Sequence, residues 1–223
     1  MFAAYRVVAL VTWAVNSSAA IADFIGLHAP PPVSCCTTSA RRVPSDPVAS
    51  ARPAGGAAPT TSRAHTRSNL SEALMQIASL PYLDEHATVI PSETDDVWRG
   101  LSETLDRSFS RPGVVGYTRL VGCADCAASG PRPLAEGSTF PGWRVVSAVP
   151  GQELVLQGRH RFSSYALIFR IEHIGPGRSR LRAESRAAFP GLAGGLYRRL
   201  VIGTGGHVIG MRRLLSAIRR RSR

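Results

Sequence analysis

The sequence predicts an α+β fold in which a curved antiparallel sheet is closed by a long C-terminal helix. Two observations lead there. Between residues 143 and 189, stretches of alternating apolar and polar residues are separated by Pro-Gly and Gly-Pro-Gly turns, and connections this short join antiparallel neighbours. Beyond Pro190-Gly191 the apolar residues recur at steps of three and four, the spacing of one helix face. With 223 residues and 44% hydrophobic content, the chain has room for one such domain and a further segment.

The further segment comes first. Residues 1–28 form an apolar leader: the run VVALVTWAV at 7–15 follows Arg6, and Ala20-Ile21-Ala22 has the small-x-small form of a cleavage site. The run is too short to span a bilayer, which takes about 20 apolar residues. Export, membrane association and an unstructured leader on a cytoplasmic protein all fit it. Residues 29–69 are dominated by Pro, Ala, Ser, Thr, Gly and Arg and read as a disordered linker, in which the adjacent Cys35 and Cys36 are incidental.

The ligand-binding domain is expected over 70–219, with a basic tail at 220–223. SEALMQIASL reads as a short helix ended by Pro81. In the first strand, 83–90, Leu83, Glu85, Ala87 and Val89 alternate with Asp84, His86, Thr88 and Ile90. Ser92-Glu93-Thr94-Asp95 resembles a capping box, with Asp in place of Glu or Gln, and the helix it opens aligns Val97, Leu101, Leu105 and Phe109. Arg111-Pro112-Gly113 is expected to stop that helix, and 114–142 reads as loop. Cys123 and Cys126 form a lone CxxC there, without a second ligand pair or a thioredoxin-like context, so no metal and no cofactor are expected.

The next strand places Trp143, Val145, Ser147 and Val149 on one face, and 153–157 forms a second. A third, 159–174, aligns Tyr165, Leu167, Phe169 and Ile171. The fourth, 178–189, sets Leu181, Ala183, Ser185 and Ala187 against Arg180, Arg182, Glu184 and Arg186, the pattern of a sheet with one covered and one wet face. The closing helix carries Leu196, Leu200, Gly203, His207, Met211, Leu214 and Ile218 on its inner stripe. Its glycines Gly203, Gly205, Gly206 and Gly210 imply close backbone approach or a kink.

Charge excludes some chemistry and suggests little by itself. All 27 basic side chains are arginine, so Schiff-base lysine chemistry and a P-loop are excluded. Residues 138–223 hold sixteen of the arginines against three carboxylates. That excess fits a weak contact of the Arg-rich C-terminus with an anionic membrane surface, or simply a solvated helix end. With no aromatic stacking platform and no helix-turn-helix pattern, sequence-specific nucleic-acid binding is not expected.

The segments GSTFPGWRV (137–145), GRHRFSSYALIFRIE (158–172), AAFPG (187–191) and LYRRLVIGTGGHVIGMRRLL (196–215) resemble those of the START-like, or SRPBCC, superfamily of polyketide cyclase/dehydrase and lipid-transport proteins. The resemblance spans about residues 80–220. It implies a helix-grip fold, with a cavity between the concave sheet and the C-terminal helix. The walls would carry Val145, Tyr165, Leu167, Phe169, Leu181, Ala183, Ser185 and Ala187, with His207 and Met211 overhead and Arg159 and Arg161 near the mouth. Such a cavity suits a lipid-, isoprenoid- or polyketide-like small molecule, while a tightly packed core is the alternative. His207 is the candidate acid or base for a cyclase or dehydratase. Of the carboxylates in the C-terminal half, Glu172 and Glu184 have outward parity and the parity of Glu153 is open, so no carboxylate partner for His207 is visible, which favours a non-enzymatic binder.

Overall fold

The computed structural model describes residues 61–223, with side chains from Leu70 onward. The leader at 1–28, the linker up to residue 60 and the Cys35–Cys36 pair lie outside the described residues. The elements in order are α1 (Thr61–Ser79), β1 (Tyr82–Ile90), α2 (Thr94–Phe109), α3 (Pro112–Val121), β2 (Thr139–Phe140), β3 (Trp143–Val149), β4 (Glu153–His160), β5 (Ser163–Gly175), β6 (Arg178–Ala188), α4 (Gly191–Val201) and α5 (Gly206–Arg221). The six strands form one antiparallel sheet in the order β1-β6-β5-β4-β3-β2. The fold is the expected α+β helix grip, with α2 and α5 packed together on the concave face.

The register shows why the inner face is apolar. Leu154, Leu156, Phe169, Leu181 and Ala183 meet across β4, β5 and β6, and α5 adds Met211, Leu215 and Ile218 while α2 adds Val97, Leu101 and Leu105. Two strand details differ from expectation. A register shift between Val145 and Ser147 puts Val146 and Ser147 both on the outer face and moves Ala148 to the inner one, so Ser147 and Val149 do not share a face with Val145. The long strand expected over 159–174 is the end of β4, a turn at Arg161 and Phe162, and β5.

Three helical expectations are also corrected. The helix does end before Arg111-Pro112-Gly113, but 114–142 is not all loop: Pro112 occupies the first turn of α3, where a missing N–H costs nothing. The N-cap of α2 is Glu93, which makes no side-chain cap bond; its Oε1 instead accepts the Gly177 N–H at 2.7 Å. The closing helix is two helices. Its chain breaks after Val201 and resumes beyond Gly205, whose φ of 73° is left-handed and suits a residue without Cβ.

The outer sheet face is more covered than the alternation predicts. α1, which begins at Thr61 inside the stretch read as linker, lays Ile77 with Leu70, Ala73 and Leu80 on Val146, Val155, Ala166 and Ile168. Beside this patch the arginines are paired rather than simply wet. Arg170 bonds Glu153 and Glu184 at 3.0 and 2.8 Å, and Arg186 reaches Glu184 at 2.6 Å. Arg182 spans Glu85 and Glu172 at 2.8 and 3.0 Å. The last residues are docked too: Arg221 pairs with Glu103 at 3.2 Å, and the buried Ser222 accepts a bond from Ser92 at its carbonyl. Among the described residues no helix is long and apolar enough to cross a membrane.

Candidate functional site

A cavity of about 270 Å³ lies between the sheet and α5, bounded also by α3 and α4. Of the residues expected to line it, Tyr165, Leu167, Ser185, Ala187, His207 and Met211 do so. Val145, Phe169, Leu181 and Ala183 share the same concave face but are sealed in the packed core beyond it. Arg159 and Arg161 are exposed and do not line it. The inward positions of β4 are the even ones, Leu154 to His160, so Arg159 points outward, and Arg161 sits in the turn.

One end of the cavity is an aromatic wall. The Trp143 and Tyr165 rings meet edge to face at 4.7 Å, and His160 meets Tyr197 in the same way at 4.9 Å. Gly158 makes this wall possible. A Cβ there would stand 2.3 Å from the Tyr165 ring and 2.2 Å from the Gly142 carbonyl, to which the Tyr165 hydroxyl donates at 2.8 Å. The Tyr117 and Tyr197 hydroxyls, from α3 and α4, are 2.6 Å apart.

These polar groups stay neutral at physiological pH. Burial pushes the Tyr117 and Tyr165 phenols far above their usual range. It also raises Tyr197, although the bond with Tyr117 works the other way. Burial pushes the Cys123 thiol up to about 11, despite the Tyr165 hydroxyl 3.9 Å away, so it is no thiolate nucleophile. The His160 pKa falls to about 4, also through burial. Its Nδ1 accepts the Phe162 N–H at 3.1 Å, which leaves the proton on Nε2, 3.2 Å from Ser163 Oγ. His160 thus ties the β4–β5 turn and is a poor base. Cys126 Sγ donates to the Cys123 carbonyl; the two cysteines are unbridged, and no cluster of three metal-ligating residues occurs among the described residues.

The cavity wall at β6 carries a different cluster. His207 Nε2 lies 3.2 Å from Asp84 Oδ1 and 3.1 Å from Ser185 Oγ, and the other Asp84 oxygen is 3.2 Å from His86 Nε2. The expectation that no carboxylate faces His207 is therefore corrected: its partner comes from β1, the far end of the sequence, because Asp84 pairs with Ser185 across the β1–β6 ladder. The carboxylate directs the Nε2 proton, so the lone pair available for proton transfer is on Nδ1. Ser185 meets the same nitrogen as Asp84, so the trio is not a nucleophile triad, in which serine and carboxylate occupy opposite nitrogens. Parity offered one clue to Asp84, since it shares a face with the fully buried Ile90. Tyr117 and Tyr197 left no clue, being single tyrosines on helices that only the tertiary fold brings together.

Sheet order, concave cavity and closing helix are those of the helix-grip architecture, which START-like proteins adopt. No family model matches the sequence, and no curated protein does. Solved structures do resemble it. Mll3558 from Rhizobium loti is 18% identical, with a TM-score of 0.39 over 64% of this chain and 99% of that one. The Zhui aromatase/cyclase from Streptomyces sp. R1128 is 13% identical, with a TM-score of 0.41 over 65% and 96% of the two chains. A truncated norcoclaurine synthase from Thalictrum flavum is 13% identical, with a TM-score of 0.37 over 64% and 95%. At such levels the functions of these proteins do not transfer to this chain.

Proposed function

We propose that the chain binds one hydrophobic, ring-containing small molecule in the cavity between sheet and α5. The observation that carries this reading is the cavity itself: mostly apolar walls, with hydrogen-bonding groups gathered at the Tyr117–Tyr197 end and at His207. A cavity of roughly 150 Å³ holds benzene, so this one suits a molecule of about two rings rather than a two-chain lipid. Native mass spectrometry of the full chain, followed by extraction, tests it together with thermal shifts from bicyclic aromatics and small isoprenoids. A stoichiometric passenger or a saturable shift is expected, and Tyr197→Phe should weaken binding of a hydroxylated ligand by about five- to tenfold. An empty protein that no such compound stabilises would refute the reading.

A second reading is supported by the Asp84–His207 pair. A carboxylate that orients an imidazole at a cavity wall is the arrangement of an acid–base catalyst. Asp84→Asn and His207→Gln distinguish the two. In a carrier they change affinity modestly, whereas in a cyclase- or dehydratase-type enzyme turnover of the bound molecule falls about 100-fold or more with binding retained.

A further inference from the structure

The outer face of α4 is an unusual surface. Leu192 is 97% exposed and Leu196 59% exposed, one helical turn apart, while Gly194 is buried and Tyr197 and Val201 of the same helix line the cavity. Leu120 on α3 and Ile209 on α5, two other helices that bound the cavity, are 57% and 45% exposed. Scattered single leucines on a surface need no explanation, but two on one face of a short helix do. Arg198 and Arg199 in the last turn of α4 are exposed, as is Arg119 beside Leu120. No carboxylate accompanies them in sequence: α3 and α4 contain none, and beyond Glu184 the chain has nine arginines and no acid.

We propose that α4 is a docking helix for anionic lipid bilayers, with Leu192 and Leu196 entering the acyl boundary and Arg198 and Arg199 engaging lipid phosphates. Leucines projecting from an acid-free cationic helix complement that surface in both hydrophobicity and charge. The membrane contact expected of the Arg-rich C-terminus is assigned to α4, where exposed leucines stand beside the arginines; at the C-terminus Arg221 and Ser222 are engaged within the fold. The contact through α4 does not depend on what the cavity holds, so this proposal and the ligand reading stand or fall separately.

Flotation of the full chain with phosphatidylcholine vesicles, with and without phosphatidylglycerol, tests it. The wild type should float with the anionic vesicles and lose binding as salt rises. Leu192→Glu with Leu196→Glu should abolish flotation, and Arg198→Gln with Arg199→Gln should weaken partitioning by about fivefold per arginine. All four side chains are exposed, so both variants should keep the wild-type melting temperature. Leu192→Trp reads insertion directly: its emission should shift to the blue with anionic vesicles and be quenched by brominated lipid beyond the response of the native tryptophans. Wild-type protein that stays unbound would overturn the proposal. So would double variants that float as well as the wild type, since the lipid contact would then lie elsewhere, as at the apolar run 7–15.

Discussion

Protonating His160 would take its Nδ1 away from the Phe162 N–H and charge a buried ring. Its pKa is about 4 when folded and about 6.5 when unfolded, so the unfolded chain binds the extra proton first as pH falls. The stability this neutral ring provides is fully present above the unfolded value and is lost between about pH 6.5 and 4. Melting temperatures across that window should fall more steeply for the wild type than for His160→Gln, which keeps an acceptor and a donor without a titrating ring; parallel curves would contradict the assignment. Gly158 is a residue-scale determinant of a different kind. Gly158→Ala should push the Tyr165 ring off the strand and lower stability by about 1–3 kcal/mol, since backbone on one side leaves no room to relax. Calorimetry and loss of the near-UV signal of the Trp143–Tyr165 pair would register it.

At the scale of elements, the break between α4 and α5 decides where His207 points. An uninterrupted helix would carry the stripe from Leu196 to Ile218 along one side, yet Leu196 is exposed and only Met211, Leu215 and Ile218 are buried. Gly205 holds the left-handed conformation at that junction, so Gly205→Ala should cost about 1 kcal/mol in chemical unfolding and disturb the His207–Asp84 contact. The break itself was half legible, because four glycines in eight residues argue against a continuous helix. α1 was less so. Its helical potential is weak from sequence, and it is held by burying Ile77 on the outer sheet face. Ile77→Ala should therefore destabilise by about 2 kcal/mol, the low end for a core isoleucine because the cluster is small. A change in unfolding free energy below about 0.5 kcal/mol, read from urea titration, would mean that α1 adds little to the sheet.

At the scale of the whole molecule, Arg170, Arg182 and Arg186 tie the strands of the outer sheet face together through Glu85, Glu153, Glu172 and Glu184. Burial raises the Glu184 carboxyl, but bonds from Arg170 and Arg186 outweigh it and hold its pKa below the usual value. Its stabilisation is present above the ordinary carboxylate range and disappears as pH falls through the lowered value, a window below that of His160. Glu184→Gln should cost about 2 kcal/mol at neutral pH and almost nothing in strong acid, read from denaturant unfolding at both.

Alternation, turn residues and helical spacing along the chain were sufficient to determine the antiparallel sheet, the inward face of β5 and β6 and the presence of a covering helix, because these are local periodicities imposed by the backbone. The resemblance to START-like proteins implied a cavity, around which the structure does place Tyr165, Leu167, Ser185, His207 and Met211. Only the tertiary structure decided the rest: that Asp84 stands beside His207 across more than a hundred residues, that Tyr117 meets Tyr197, and that Val145, Phe169, Leu181 and Ala183 are sealed away from the cavity. The physical reason is that periodicity reports which side of an element is covered. Which residues from distant elements meet there depends on register and helix packing, which a single strand or helix does not encode.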